Sequence, residues 1–105
     1  MKIFVSGVAG FLGSHLADAF LSDGHTVVGC DNMIGGHLDN VPAKIDFHQV
    51  DCCNFESMCR LTAGCDVIYH SAATAYEGLS VFSPHLVTQN IVTASVSLFT
   101  AAIRN

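Results

Sequence analysis

The sequence predicts an α/β fold: a doubly wound parallel sheet in strand order 3-2-1-4, with helices on both faces. Short apolar runs alternate with segments whose apolar residues recur at helical spacing, and this alternation is typical of strand-helix-strand units. The first unit is the clearest, because an apolar run at residues 3–5 is followed by a glycine turn, an amphipathic segment and a second apolar run at 26–30. With 105 residues, the chain is at most one small domain.

The turn after the first strand has the spacing Gly7-x-x-Gly10-x-x-Gly13. We expect Gly7 to leave the strand in a conformation that a side chain would obstruct, and Gly10 to let the backbone approach a diphosphate. Gly13 would let the following helix lie close to the first strand. The free N–H groups of the first helical turn, at Phe11 and Leu12, would then point at a bound anion.

The segment after this turn is predicted to be a helix with one buried stripe, ended by Gly24. The expected stripe consists of Leu12, Leu16, Ala19 and Phe20. The second strand leads into Asp31, which follows Gly10 by 21 residues, about the spacing of an acid that binds the ribose of a dinucleotide. A purely structural turn is the alternative interpretation.

Three stretches of the amino-terminal half carry a family resemblance. They are Gly7-x-x-Gly10-Phe11-Leu12-Gly13, Asp31-Asn32-Met33-Ile34-Gly35-Gly36 and Asn40-Val41. They resemble the NAD-dependent epimerase/dehydratase family of extended short-chain dehydrogenases, most of all its UDP-glucose 4-epimerase branch. The resemblance implies a Rossmann-type fold and NAD as the cofactor. Asp31 favours NAD over NADP, because a carboxylate accepts from a ribose 2′-hydroxyl but repels a 2′-phosphate.

Two further stretches are predicted to line the adenosine pocket. Residues 32–44, which contain Asn32, Gly35 and Gly36, form a polar loop next to the acid, and a solvated loop is the alternative. A third strand at 45–50 ends at Asp51. The resemblance implies that the Asp51 carboxylate accepts from the adenine amine while the backbone N–H of Cys52 donates to the ring. A helix-capping or loop acid is the other reading of Asp51.

The next helix and strand are marked by their ends. Asn54 is predicted to cap a helix over 55–62 that Gly64 ends, with a buried face of Phe55, Met58, Cys59 and Leu61. A fourth strand follows at 65–70. His70-Ser71-Ala72-Ala73 then resembles the His-x-Ala-Ala signature of the family, in which Ala72 and Ala73 would leave room beside the nicotinamide ribose. For His70 we expect packing or hydrogen bonding rather than proton transfer.

Residues 74–82 are predicted to be irregular, and Ser83-Pro84 to start a helix that runs to about Ile103 with a hydroxyl cap. One stripe of this helix fits packing on the sheet: Val87, Ile91, Ala94, Leu98 and Ala101. A second stripe points elsewhere: Val92, Val96, Phe99 and Ile103. Asn90 matches an asparagine that the family places near the nicotinamide, and it also suits a buried amide that ties loop to helix.

The second stripe needs cover. The resemblance implies a homodimer through the 84–103 helix, and packing against further polypeptide is the alternative. The family's catalytic Tyr-x-x-x-Lys pair is absent, since the only lysines are Lys2 and Lys44, so no catalytic residue is assigned. We expect residues 1–105 to be the amino-terminal, NAD-binding part of an enzyme that acts on a nucleotide sugar by transient hydride transfer. A complete, non-catalytic nucleotide-binding or interaction module is the alternative.

Composition narrows the partners. The net charge is −5 with only four basic residues, which do not cluster, so nucleic acid is not expected as a partner. No run of apolar residues approaches the length of a membrane span and no signal pattern is present, so we expect a cytoplasmic protein without a membrane partner. The five cysteines and six histidines lack metal-ligand spacing, which predicts reduced thiols and no metal site.

Overall fold

The computed structural model describes all 105 residues and contains one four-stranded sheet. The elements in chain order are β1 (Lys2–Ser6), α1 (Phe11–Ser22), β2 (Thr26–Asp31), β3 (Asp46–Gln49), α2 (Phe55–Thr62), β4 (Val67–His70), α3 (Glu77–Phe82), α4 (Pro84–Thr88) and α5 (Ala94–Arg104). A short 3-10 turn lies at Leu38–Asn40 and a π turn at Gln89–Thr93. The strand order is β3-β2-β1-β4 and every pair is parallel, which confirms the predicted topology.

The sheet carries a separate apolar core on each face. Successive residues of a strand point to opposite faces, so β1 sends Ile3 and Val5 to one side and Phe4 to the other. On the first face Ile3 and Val5 pack with Ala17 of α1. On the second face Phe4 packs with residues of α2 and α5, among them Met58 and Leu98. Helices therefore cover both faces, as the fold class requires.

The buried face of α1 differs from the predicted stripe. Gly13 and Ala17 are buried and Phe20 is half-buried, whereas Leu12 is 59% exposed and Ala19 is also exposed. The helix turns its smallest residues toward the sheet because a glycine and an alanine one turn apart permit closer approach than two leucines. Apolar periodicity alone placed the contact one residue too early.

Close approach at the start of α1 depends on two glycines. Gly7 has φ +71°, a left-handed conformation that other residues rarely adopt. A Cβ atom built at Gly13 would overlap the carbonyl oxygen of Gly7 and lie 3.0 Å from the hydroxyl of Ser71. The first turn of α1 therefore rests directly on the backbone that leaves β1, as the sequence predicted for Gly13.

The helix α2 begins and ends where the sequence placed it. The side chain of Asn54 accepts from the backbone N–H of Ser57 at 3.1 Å, which confirms the predicted cap. Met58 and Leu61 are buried as expected. Phe55 is 37% exposed, so its assignment to the core was wrong, and the guanidinium of Arg104 lies 5.6 Å from the centre of its ring.

The carboxyl-terminal third contains two differences from prediction. Residues predicted to be irregular include the helix α3, and Ser83 makes no side-chain cap bond although the next helix does begin at Pro84. That helix is continuous to Arg104, but its π turn inserts an extra residue. Asn90 is consequently buried and Ile91 is 38% exposed, so the predicted inner stripe holds only from Ala94 onward.

The helix from Pro84 to Arg104 is 21 residues long, with a mean hydropathy of 1.5 over its best window. By length and composition it is therefore sufficient to cross a membrane, and the expectation from the sequence was wrong on that point. Serines and threonines interrupt the apolar residues of this stretch, so no long apolar run is visible in the sequence although the stretch has no charged side chain before Arg104. In the structure Leu98 and Ala101 of this helix are buried in the core that α2 and the sheet share.

Replacement of Gly13 by alanine should lower the free energy of unfolding by about 1–3 kcal/mol, the usual cost of overpacking. The added Cβ would overlap backbone atoms of Gly7, which cannot rotate away as a side chain can. Urea denaturation measures the effect. Gly78→Ala is the matched control, because a Cβ there meets no atom within 4 Å and alanine favours the helix α3. Equal stability of the two variants would contradict the close contact.

Candidate functional site

A cleft opens at the carboxyl ends of the strands, where the chain order reverses between β1 and β4. Ligands of open α/β sheets bind at this position. Eleven of the fourteen residues predicted from the sequence line it: Gly7, Gly10, Asp31, Asn32, Gly35, Gly36, Asp51, Cys52, Ala72, Ala73 and Asn90. The other three, Phe11, Leu12 and Gly13, lie in the adjoining first turn of α1 and do not form part of the lining.

The amino terminus of α1 presents bare amide groups. The N–H groups of Phe11, Leu12 and Gly13 donate no hydrogen bond within the chain, whereas that of Gly10 donates to the carbonyl of Gly7 at 3.1 Å. Gly10 occupies the N-cap position and offers no side chain to satisfy them. The positive end of the helix dipole is therefore available for an anion beside the cleft.

Asp31 is buried at the tip of β2 with both carboxylate oxygens engaged. One oxygen accepts from the N–H of Ala9 at 3.0 Å and the other from the N–H of Met33 at 2.8 Å. These two bonds fix the carboxylate at the wall of the cleft. Each oxygen keeps a second lone pair, so the group can still accept from a ligand hydroxyl.

Asp51 and Cys52 line the same cleft as Asp31 and follow the neighbouring strand β3. The carboxylate of Asp51 accepts from the N–H of Cys53 at 2.8 Å, which is the behaviour of a loop acid. The N–H of Cys52 donates no bond within the chain. The Asp51 carboxylate thus orders its own loop, and the adjacent N–H of Cys52 is free to donate. Binding of adenine by this pair stays a prediction.

Asn90 joins the loop after β4 to the π turn. Its side-chain amide donates to the hydroxyl of Thr74 at 2.8 Å, and both residues are buried. This contact supports the loop-to-helix tie that the sequence suggested. Asn90 also lines the cleft, so a contact to the nicotinamide end of a cofactor remains open to it.

His70 is the centre of a hydrogen-bond chain behind the cleft. The hydroxyl of Ser6 accepts from the amides of Ser71 and Ala72, at 3.1 and 3.2 Å, which uses both of its lone pairs. Its proton must therefore go to Nδ1 of His70, 2.7 Å away. The histidine proton then resides on Nε2 and is donated to Ser95 at 2.9 Å.

This chain requires a neutral histidine. A second ring proton would face a hydroxyl oxygen that already accepts two bonds. Burial also favours the neutral form, because it lowers the pKa of His70 below its ordinary value of 6.5. The expected structural role of His70 is therefore supported, with a defined tautomer that holds the Ser71-Ala72 backbone at the cleft.

Sequence reasoning missed part of the wall after β4. Ser71, Thr74, Ala75 and Tyr76 all line the cleft, together with Ile34, Val50 and Ala94. The Tyr76 hydroxyl lies 3.1 Å from the point where a Cβ at Gly35 would stand, so this side chain reaches the opposite loop. The family resemblance implies a lysine shortly after Ala72-Ala73, where this sequence has Ala75, Tyr76 and Glu77, and this difference was the available signal.

Comparison with known proteins agrees with this geometry. The model of the NAD dependent epimerase/dehydratase family matches residues 3–105. The chain belongs to this family. The match covers nearly the whole chain and includes the glycine turn, the β2 acid and the residues after β4.

Individual members of the family resemble the chain over about a third of their own length. UDP-glucose 4-epimerase of Mycolicibacterium smegmatis is 34% identical and covers 97% of this chain and 34% of its own. The structure of UDP-glucose 4-epimerase of Thermotoga maritima with UDP-glucose has a TM-score of 0.96 at 29% identity, over 99% of this chain and 34% of its own. The Thermus thermophilus UDP-glucose 4-epimerase complex with NAD has a TM-score of 0.91 at 31% identity, over 99% and 34%.

The neutral state of His70 makes stability depend on pH. Below pH 6.5 the unfolded chain takes up a proton at His70 that the folded chain resists, so stability should fall as the pH drops from 6.5 through the lower folded pKa. Above pH 6.5 this contribution is fully present. Urea unfolding at several pH values should show a shallower slope for His70→Gln than for the wild type.

The exposed His85 provides the control for this experiment. His85→Gln makes the same replacement at a histidine outside the hydrogen-bond chain, and the pH dependence of this variant should match that of the wild type. Equal slopes for His70→Gln and the wild type would contradict the assigned neutral state of His70.

Proposed function

We propose that this chain is the NAD-binding part of a sugar-nucleotide epimerase or dehydratase. One observation supports the proposal: the bare amides at the start of α1 lie beside the cleft that the fixed carboxylate of Asp31 lines. A diphosphate bound at the amides, joined to a ribose whose hydroxyl donates to Asp31, would satisfy both groups together.

The lining residues fit the parts of such a cofactor. Gly7 and Gly10 leave the backbone exposed where a diphosphate would lie against the helix amides. Asp31 would accept from the adenosine ribose, with Asn32, Gly35 and Gly36 around it. Asp51 and Cys52 would face the adenine edge. Ala72, Ala73 and Asn90 would lie on the nicotinamide side.

The family match supports the reaction that we propose. Bound NAD supplies the hydride acceptor that a sugar hydroxyl needs in order to become a ketone. The residues of this chain position that acceptor and, through Ser6 and His70, hold the wall beside it. Neither Tyr69 nor Tyr76 has a lysine four residues on, so we propose that proton transfer and sugar recognition belong to residues outside these 105.

We also propose that the protein is cytoplasmic. All five cysteines are free thiols, which suits a reducing compartment such as the cytoplasm. The net negative charge suits a partner that binds through directed amides rather than through a basic surface.

The carboxylate of Asp31 should give at least tenfold tighter binding of NAD than of NADP. Two unit charges 4 Å apart repel by roughly 1 kcal/mol in water and about 4 kcal/mol near a protein surface, and about 1.4 kcal/mol corresponds to a tenfold change in affinity. Asp31→Ala should weaken NAD binding and bring the two affinities within about threefold. Isothermal titration calorimetry with each cofactor measures both.

The charge-matched control is Asp23→Ala, at the far end of α1 and exposed to solvent. It removes the same charge without touching the cleft and should leave the preference intact. Because Asp31→Ala also frees the amides of Ala9 and Met33, its circular dichroism and unfolding curve establish that it folds. Equal affinity of the wild type for both cofactors would overturn the assignment of Asp31.

We also propose that two copies associate through α5, as the family resemblance implies. The second stripe of the last helix is exposed over its whole length: Val92 55%, Val96 59%, Phe99 55% and Ile103 86%. These side chains recur at helical spacing and form one apolar ridge. A second copy of the same ridge would bury it by symmetric helix packing.

Val96→Glu should convert the dimer to a monomer, because association would bury an unpaired charge at the centre of the ridge. Sedimentation equilibrium over a range of concentrations gives the mass directly. Leu38→Glu adds the same charge at a 64% exposed leucine away from α5 and should stay dimeric. A monomeric wild type, or an unchanged mass for Val96→Glu, would contradict the interface.

A further inference from the structure

Two thiols meet beneath the acids of the cleft. The sulfur atoms of Cys30 and Cys52 are 3.7 Å apart, and Cys52 lines the cleft while Cys30 is fully buried behind it. Cys30 precedes Asp31 and Cys52 follows Asp51, so each thiol adjoins one of the two acids. No role in the proposed cofactor site uses either sulfur.

We propose that Cys30 and Cys52 are a modification site, at which hydrogen peroxide forms a disulfide that weakens cofactor binding. A disulfide bond is about 2.05 Å long, so the sulfurs must close a gap of about 1.6 Å. This is a local shift of one loop residue, because Cys52 lies in the turn between β3 and α2. The inference rests on the proposed function only for its effect on NAD.

The contact distinguishes the roles of the two thiols. The hydrogen bond that Cys30 donates lowers the pKa of Cys52, and the same contact together with burial raises that of Cys30. Cys52 is therefore the nucleophile that a small oxidant reaches through the cleft, and Cys30 is the resolving thiol. Cys53 is a poor competitor, because burial raises its pKa to about 11 and its thiol donates to the carbonyl of Gln89.

The chemistry balances in two steps. The Cys52 thiolate attacks one peroxide oxygen, a sulfur–oxygen bond forms, the oxygen–oxygen bond breaks and hydroxide leaves, which yields a sulfenic acid. The sulfur of Cys30 then attacks the sulfur of Cys52 and displaces the hydroxyl, which leaves as water with the thiol proton of Cys30. Two thiols lose two electrons, and one peroxide is reduced to two waters. Dithiothreitol reverses the change.

Closure of this bond would draw Cys52 toward β2 and away from the cleft wall. The free N–H of Cys52 and the neighbouring carboxylate of Asp51 would move with it. By linkage, if oxidation weakens NAD binding, bound NAD must oppose oxidation to the same extent. The site would thus respond both to oxidant and to its own occupancy.

Tryptic mapping tests the bond directly. Cleavage after Lys44 separates Cys30, in peptide 3–44, from Cys52, Cys53 and Cys59, in peptide 45–60. Peroxide-treated protein, with free thiols blocked by N-ethylmaleimide, should give these two peptides as one species that dithiothreitol splits. Cys30→Ala and Cys52→Ala should each abolish it, whereas Cys53→Ser and Cys59→Ser should retain it. Absence of the species in folded wild type, or its persistence in folded Cys52→Ala, would overturn the proposal.

Cofactor titration tests the consequence. Oxidised wild type should bind NAD at least tenfold more weakly than reduced wild type, dithiothreitol should restore the affinity, and saturating NAD should slow formation of the linked peptides. Reduced protein that binds NAD but never links would overturn this inference and leave the proposed function standing. Linked protein whose reduced form does not bind NAD would overturn the proposed function while the thiol pair stood. Unchanged affinity after linkage would overturn the effect on binding.

Discussion

The site depends on a contact between two stretches of backbone, where the first turn of α1 rests on the carbonyl of Gly7. No side chain can stand between them, since a Cβ at Gly13 would overlap that oxygen. The contact fixes where α1 begins relative to the sheet. The free amides of the first turn are therefore held at the carboxyl end of β1. The position of these amides is therefore fixed by the main chain.

One carboxylate, of Asp31, and one hydroxyl, of Ser6, hold the backbone at the edges of the cleft. Asp31 binds the glycine turn through Ala9 and its own loop through Met33, so one side chain ties the β1 and β2 ends together. Ser6 does the same for the β1 and β4 ends, through Ser71 and His70. In each case side-chain oxygen atoms accept hydrogen bonds from backbone N–H groups that have no partner strand at the end of the sheet. The cleft is thus shaped before any ligand enters it.

The sequence was informative where a residue has one mechanical use. Gly7, Asp31 and Asn54 each lie at a turn, a strand tip or a cap that few residue types can serve, and strand order follows from the right-handed crossovers between such units. Periodicity was less reliable, because it counts apolar residues and cannot weigh size. The glycine spacing predicted the close approach at Gly13, but periodicity missed that Ala17 faces the sheet. Periodicity also could not detect the extra residue of the π turn at Asn90.

The cleft and the outer ridge of α5 are physically continuous. Nε2 of His70 donates to Ser95 on α5, and the ring of Phe99 meets the imidazole edge-on with centroids 5.9 Å apart. A protein surface that covers Phe99 would remove water from this histidine and disfavour its charged form further. The hydrogen-bond chain that holds the Ser71-Ala72 wall would then persist to lower pH in an assembled protein than in an isolated chain. Cover over α5 would thereby stabilise the Ser71-Ala72 wall of the cleft through one imidazole.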